Sequence, residues 1–325
     1  MLVNIPIPGS SGSSASITRN VGSILNRGWE FQATYQKSKG DFHYSIGANL
    51  STNYNEVLDM SGQYILVGGS EFATSGSSKT EAGHSIGQFW GYKTLGLFQT
   101  QAEIDAYVDA NGLKMQPSAA PGDIKFYKKP NADGKLVGVI GATDMVYIGN
   151  PNPDFTYGIN LSADYKGIDF TVFFQGVQGN DILGILTAWT EGMHNNFNLG
   201  KNALNRWTPT NTNTTVPRAV RGDPNKNTNI SDRYIYDGSY LRLKNLTVGY
   251  TLPKALVGYV KLSKVRIYAT GRNLLTFTKY PFYDPEIGSG YVGLSASGNS
   301  STARGIDNGY YPQARAILMG IQIDF

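Results

Sequence analysis

The chain has 325 residues, a formal net charge of +4 and no cysteine. That length suits one large β domain or two ordinary ones, and the lack of cysteine excludes a disulfide framework and any cysteine metal site. No basic run is longer than Lys128-Lys129, too little for a nucleic-acid footprint, and no apolar run approaches the ~18 residues of a membrane helix; a membrane barrel stays open, because its strands alternate and keep average hydropathy low.

Residues 1–27 read as a Gly/Ser-rich loop. The stretch MLVNIPIPGSSGSSAS lacks the basic start of a signal peptide, and Pro6 and Pro8 break its short apolar run. The first strand is predicted over Gly28 to Lys37, with Trp29, Phe31, Ala33 and Tyr35 on one face and Glu30, Gln32, Thr34 and Gln36 on the other. A turn at Ser38–Asp41 leads to a second alternating run from Phe42 to Ser51, which makes a hairpin. A long excursion, 53–153, follows. It carries a predicted helix from Gln99 to Ala110 with Thr100 as N-cap. A second hairpin runs from Phe155 to Tyr165, turns at Lys166-Gly167 and returns through Ile168, Phe170, Val172 and Phe174. The second excursion spans 176–238. The GVQG run at 176–179 and the glycines of 288–293 read as flexible loop, since neither lies between a strand and a helix as a phosphate loop must.

In DGSYLRLKNLTVGYTLP, Asp237 to Pro253, Leu241 and Leu243 share one face and Arg242 and Lys244 the other; the apolar face resumes at Leu246, Val248 and Tyr250. That slip of phase near Asn245 predicts a bulge, and Pro253 ends the strand. The short connection 253–263 is expected to hold a helical turn. Val265 to Thr270 alternates, a third excursion follows (278–314), and the last strand sets Ile317, Met319, Ile321, Ile323 and Phe325 on one face.

The pattern is about seven strands with short and long connections in strict alternation, the asymmetry of outer-membrane barrels. A soluble β-sandwich is the plainer reading of alternating strands. Against it stand runs of about 9 to 12 residues, the length of a tilted membrane strand, and aromatic residues near strand ends (Trp29, Tyr35, Phe42, Phe155, Tyr165, Tyr250) as at a membrane interface.

The run SDRYIYDGSYLRLKNLTVGYTLPKAL resembles the C-terminal barrel signature of the SusC/RagA family of TonB-dependent outer-membrane transporters. GHSIGQFWGYKTLGLFQTQAEIDAY, YIGNPNPDFTYGINLSADYKGIDFTVFFQGVQGNDI, VRIYATGRNLLTFTKYPFYDPEI and the closing GYYPQARAILMGIQIDF agree with it, in order, over nearly the whole chain. The resemblance implies that residues 1–325 are the C-terminal part of the barrel, about seven strands of roughly 22, with plug domain and TonB box absent and Met1 an internal methionine. It further implies a Gram-negative outer membrane, a SusD-like lipoprotein as lid, energy through the TonB complex, oligosaccharide or peptide as substrate, outer-membrane lipid around the wall, and Phe325 as the signal read by barrel assembly machinery. Seven strands cannot close such a barrel, so an open sheet is expected, with edges near residues 30 and 320.

Three histidines, His43, His84 and His194, have no ligand spacing and no nucleophile motif beside them, and no catalytic residue, metal ligand or cofactor is assigned. Asn131-Ala132-Asp133-Gly134-Lys135-Leu136 is similar to part of a calcium loop, but Lys129 and Ile140 stand where acidic ligands belong, so a plain turn is expected. Loop aromatics are the candidate ligand contacts: Trp90, Tyr92, Trp189, Trp207, Tyr283 and Tyr291. The competing role is packing of loop on loop. Two rival functions are an adhesive or structural outer-membrane barrel that transports nothing, and an outer-membrane hydrolase, for which no catalytic cluster is found.

Overall fold

The computed structural model describes residues 2–6, 16–20, 22–67, 76–260, 262–288 and 302–325. Its centre is one seven-stranded sheet in which each strand pairs antiparallel with its neighbours in sequence: β1 (Glu30–Lys39), β2 (Phe42–Thr52), β3 (Phe155–Tyr165), β4 (Ile168–Gln178), β5 (Tyr240–Thr251), β6 (Lys264–Thr278) and β7 (Ala316–Asp324). The sheet is open, with β1 and β7 at its edges, as the strand count requires.

Two hairpin turns are two residues long. Gly40 supplies a φ of 59° in one; Lys166 and Gly167, at 47° and 87°, form a type I′ turn in the other, whose twist matches the strands it joins. The third short connection carries a helix, Lys254–Val257, and a 3₁₀ turn, Gly258–Val260. The bulge in β5 falls at Lys244. Leu243 and Asn245 pair with the adjacent Phe174 and Phe173 on β4, so Lys244 is the extra residue against that strand; against β6 they pair with Leu275 and Arg272, which leaves Asn273 and Leu274 opposite Lys244.

The register puts large apolar groups on one face in level rows. At the short-turn end Phe42, Tyr165, Ile168, Tyr250, Ile267 and Ile321 stand side by side; toward the other end Phe31, Leu50, Tyr157, Leu241 and Phe277 do. Tyr157 to Tyr165 covers roughly 27 Å along the strand, or about 20 Å of height at the usual tilt, close to the apolar band of an outer-membrane barrel. Nothing among the described residues covers this face: even in inner strands Phe170, Val248 and Ile267 keep 40%, 46% and 48% exposure. A sandwich would bury them against a second sheet. The opposite face is polar. Gln32, Thr34, Ser45, Asn49, Asn160, Ser162 and Thr171 line a shallow groove above Gly47. Farther along, Arg266 reaches across Gly249 to Asp169, with Nε 2.8 Å from Oδ1.

Three expectations are corrected, and the first long excursion proves to hold strands of its own. Residues 1–27 are not all loop: Leu2–Pro6 pairs with Ser16–Asn20, and Ser23–Arg27 with Tyr54–Asp59. The second pair prolongs the β1–β2 hairpin past Gly28, where a Cβ would lie 1.9 Å from the Thr52 carbonyl oxygen. GVQG is not flexible loop over its first three residues, which end β4; Gly176 lies beneath the Tyr157 ring, and only Gly179 turns the chain, at φ 82°. The helix spans Gln101–Ala106 and not Gln99 to Ala110. Thr100 Oγ1 does cap it, accepting from Glu103 N, but the Asp109 carboxylate takes the N–H groups of Asn111 and Leu113 and folds the chain into a turn. The excursion 53–153 contains a four-stranded sheet built from Ile65–Val67, Ser78–Thr80, Gln88–Gly91 and Val146–Gly149.

All three long excursions leave the same end of the sheet and share one core. Phe89 comes from the first, Leu183, Ile185, Ile230 and Tyr234 from the second, and Ala303 and Ile306 from the third. Each is 2% exposed or less, and burying one such large side chain contributes about 1.5–3 kcal/mol. Buried polar groups stitch the same layer. Asp123, fully buried, accepts from Arg218 Nε at 2.8 Å and from Asn227 Nδ2 at 2.9 Å, across more than 90 residues of sequence.

Candidate functional site at the mouth of the sheet

Where β5 meets the excursions, the inward face of the bulged strand anchors the third excursion. Arg242 is 3% exposed. Its Nε donates to Thr276 Oγ1 (2.9 Å), Nη1 to Glu286 Oε2 (2.7 Å) and Nη2 to Asp284 Oδ1 (2.5 Å). Lys244, set free of the ladder by the bulge, donates to both Glu286 oxygens. Asp284 also accepts the N–H groups of Glu286 and Gln313. Burial alone would raise its carboxyl, but the Arg242 bond and these two N–H groups outweigh it and hold the group below the usual carboxylate range. The next residue back, Tyr283, is thereby fixed with 67% of its surface exposed.

A second feature is a polar cleft of about 760 Å³ between the prolonged hairpin and the first excursion, lined by Arg27, Trp29, Asn53, Glu56, His84, Gln88, Asn150, Asn152 and Asp154 among others. The His84 ring stacks on Tyr147 with centroids 3.8 Å apart, and its Nδ1 lies 3.0 Å from Gln88 Oε1. Tyr147 donates to Glu81 Oε1 at 2.6 Å; burial first, and then Glu81, push its hydroxyl well above the ordinary tyrosine value. Lys79 pairs with Glu81 at 2.6 Å and sits 4.4 Å above the Trp90 ring. Amides, carboxylates and ring faces in this arrangement can hydrogen-bond hydroxyl and amide groups of a ligand. Among the described residues no group of three or more His, Asp or Glu side chains could hold a metal ion.

The candidate aromatics are not brought together. Tyr92 (7% exposed) and Trp207 (8%) are loop core: the Tyr92 ring packs on Phe126, and the Trp207 indole donates to Gln99 Oε1 and covers Gly122. Trp90 is half-buried on the edge of Tyr147, and Trp189 rests on the shared core with its ring 4.7 Å from Phe197. Tyr283 offers an open face, and Tyr291 lies outside the described residues. Asn131 forms the plain turn: its Oδ1 accepts from Asp133 N and Lys135 N, and Gly134 takes a φ of 75°. His43 faces inward beside Ser38, Nδ1 to Oγ 2.7 Å, and Phe325 is 94% exposed with its carbonyl oxygen accepting from Ser263 Oγ. The Arg242 network escaped the sequence reading; the signal was an inward Arg and Lys in a strand followed by the acidic Asp284-Pro285-Glu286 of a loop.

No family model matches the chain. It is 37% identical over 326 residues to TonB-dependent receptor P3 of Formosa agariphila, an alignment covering 98% of this chain and 30% of that protein. It is 33% identical over 327 residues to TonB-dependent receptor P26 of the same organism, covering 100% of this chain and 31% of the relative. To TonB-dependent receptor SusC of Bacteroides thetaiotaomicron it is 24% identical, covering 100% and 29%. The RagAB peptide importer in its 'open-open' state superposes with a TM-score of 0.76 at 24% identity, over 100% of this chain and 31% of that one; the 'closed-closed' state gives 0.74 over 100% and 32%. These superpositions bear on the fold: the seven-stranded sheet and its excursions lie within the matched part of those chains. The chain spans about a third of the length of these relatives, and across its own length it is similar to TonB-dependent receptors, SusC among them.

Proposed function

We propose that this chain forms wall and extracellular mouth of an importer in the Gram-negative outer membrane. The importer takes up oligosaccharides or peptides, is energised through the TonB complex, and works with a SusD-like lipoprotein. The reading rests on one observation above all: a sheet whose outward face is apolar and, among the described residues, uncovered carries at one end three excursions tied into a single layer by a shared core. Plug and energy coupling belong to the two thirds of such a receptor that this chain does not span. The chain's own part is to bind and to guide, not to make or break bonds. Phe325, the residue just past the end of β7, serves as the assembly signal, and outer-membrane lipid covers the outward face of the sheet. Ligand contact falls to Tyr283 first, with the Trp189–Phe197 pair and Trp90 next, because these keep ring surface open.

The test is uptake of labelled oligosaccharides and peptides by cells carrying or lacking the full-length receptor, with and without a protonophore. Uptake of at least one class should need both receptor and proton-motive force, and the SusD-like lipoprotein should co-purify. Uptake indifferent to the receptor refutes the proposal.

A further inference from the structure

The short-turn side of the sheet is uneven. Two of its connections are two-residue turns, while the third, between β5 and β6, is a helical segment. One side of that segment is turned in: Val257 is 4% exposed, and its carbonyl oxygen accepts from Leu262 N. Leu256 and Tyr259, three residues apart and so on one face of a helical turn, keep 60% and 89% of their surface exposed. Beside them stand exposed Lys254 and Ala255. A large aliphatic group and a phenol on one exposed face, with an exposed ammonium elsewhere on the same short segment, are what an interfacial segment presents: an apolar body for acyl chains, a ring for the headgroup level, a cation for phosphate.

What covers this face follows from what it adjoins. The outward face of the sheet ends here, with Tyr250, Ile267 and Ile321 in one row and Val265 and Ile323 in the next. The segment leaves β5 right after that row, and Leu252 N still donates to Val265 O. We infer that Lys254–Val260 lies in the membrane interface on the short-turn side, with Leu256 and Tyr259 set among phospholipid headgroups as an anchor that fixes the depth of β5 and β6. The inference rests on the membrane reading of the sheet.

The experiment uses full-length receptor without other cysteines, in vesicles of phosphatidylethanolamine and phosphatidylglycerol. Spin labels are placed singly at Tyr259→Cys, at Val248→Cys on the outward face, and at Asp41→Cys on a two-residue turn. Collision with oxygen, which concentrates in lipid, is compared with collision with a water-soluble nickel chelate. The expected order of the oxygen-to-nickel ratio is 248, then 259, then 41, with 259 severalfold above 41. If 259 equals 41 while 248 stays high, the segment faces water, and the inference falls while the membrane reading stands. If 259 is shielded from both reagents, protein covers it and the inference falls as well. If 248 also matches 41, the membrane reading itself fails.

Discussion

Replacing Arg242 by alanine should release the third excursion. The guanidinium is 3% exposed, and its partner Asp284 keeps 6% of its side-chain surface; the change leaves a buried carboxylate with only the N–H groups of Glu286 and Gln313. Breaking such a pair from one side costs about 3–5 kcal/mol, which is roughly a 150- to 5,000-fold shift in a local opening equilibrium. Lys244→Ala is the control. Its pair with Glu286 is partly solvated, 19% and 29% exposed, so about 0.5–1 kcal/mol is at stake, a change of roughly two- to fivefold. Amide hydrogen exchange of the full-length receptor reads both, at 280–288 and 305–313. Arg242→Met combined with Asp284→Asn should recover part of the protection, since no unpaired charge stays buried. If Arg242→Ala speeds exchange no more than Lys244→Ala does, the pair is not what holds the excursion.

The same network fixes a pH dependence. Asp284 is held below its ordinary value, so its contribution is complete above that value and is lost as pH falls through the lowered one; protection of 280–288 should be flat from about pH 8 to 5 and drop below about pH 4. On the sheet, Val248→Lys should lower the stability of the full-length barrel in lipid by about 2–4 kcal/mol, while Thr247→Lys on the inward face leaves it nearly unchanged; equal urea midpoints would count against a lipid-facing surface. Gly167→Ala, at φ 87° and with a Cβ 2.8 Å from Thr251 O, should cost about 1–2 kcal/mol and slow assembly, against a neutral Gly258→Ala, where a Cβ meets open space. Expressed alone with an export signal, the chain should show no heat-modifiable compact form on gels, because β1 and β7 have unpaired edges in lipid; a shift on boiling would mean a self-closed barrel.

The seven wall strands were legible because their physics is local. Apolar and polar residues alternate with period two, the turns carry Gly40 and Lys166-Gly167, and the slip after Leu243 announces the bulge. Strands such as Ser78–Thr80 and Gln88–Gly91 were not, since three or four residues carry no readable period and their stability comes from elsewhere. Phe89 is buried by Leu183 and Ile306, residues far away in sequence. Burial of the candidate aromatics was hidden for a like reason. Trp207 is inside because Gly122 leaves room for it, where a Cβ would be 2.4 Å from the ring, while Tyr283 is outside because its neighbour Asp284 is tied down.

The core shared by the three excursions has a consequence for how the molecule is made. The wall is a chain of neighbour-to-neighbour hairpins, so it can grow strand by strand. The layer above it cannot: Ser78 Oγ donates to Thr302 O, 224 residues away, and Phe89 needs Ile306. Contacts of such separation come late, after the loop-closure entropy has been met by the strands between. The mouth is therefore completed only after the last long connection has been delivered, and it does not form over a wall that is still being built.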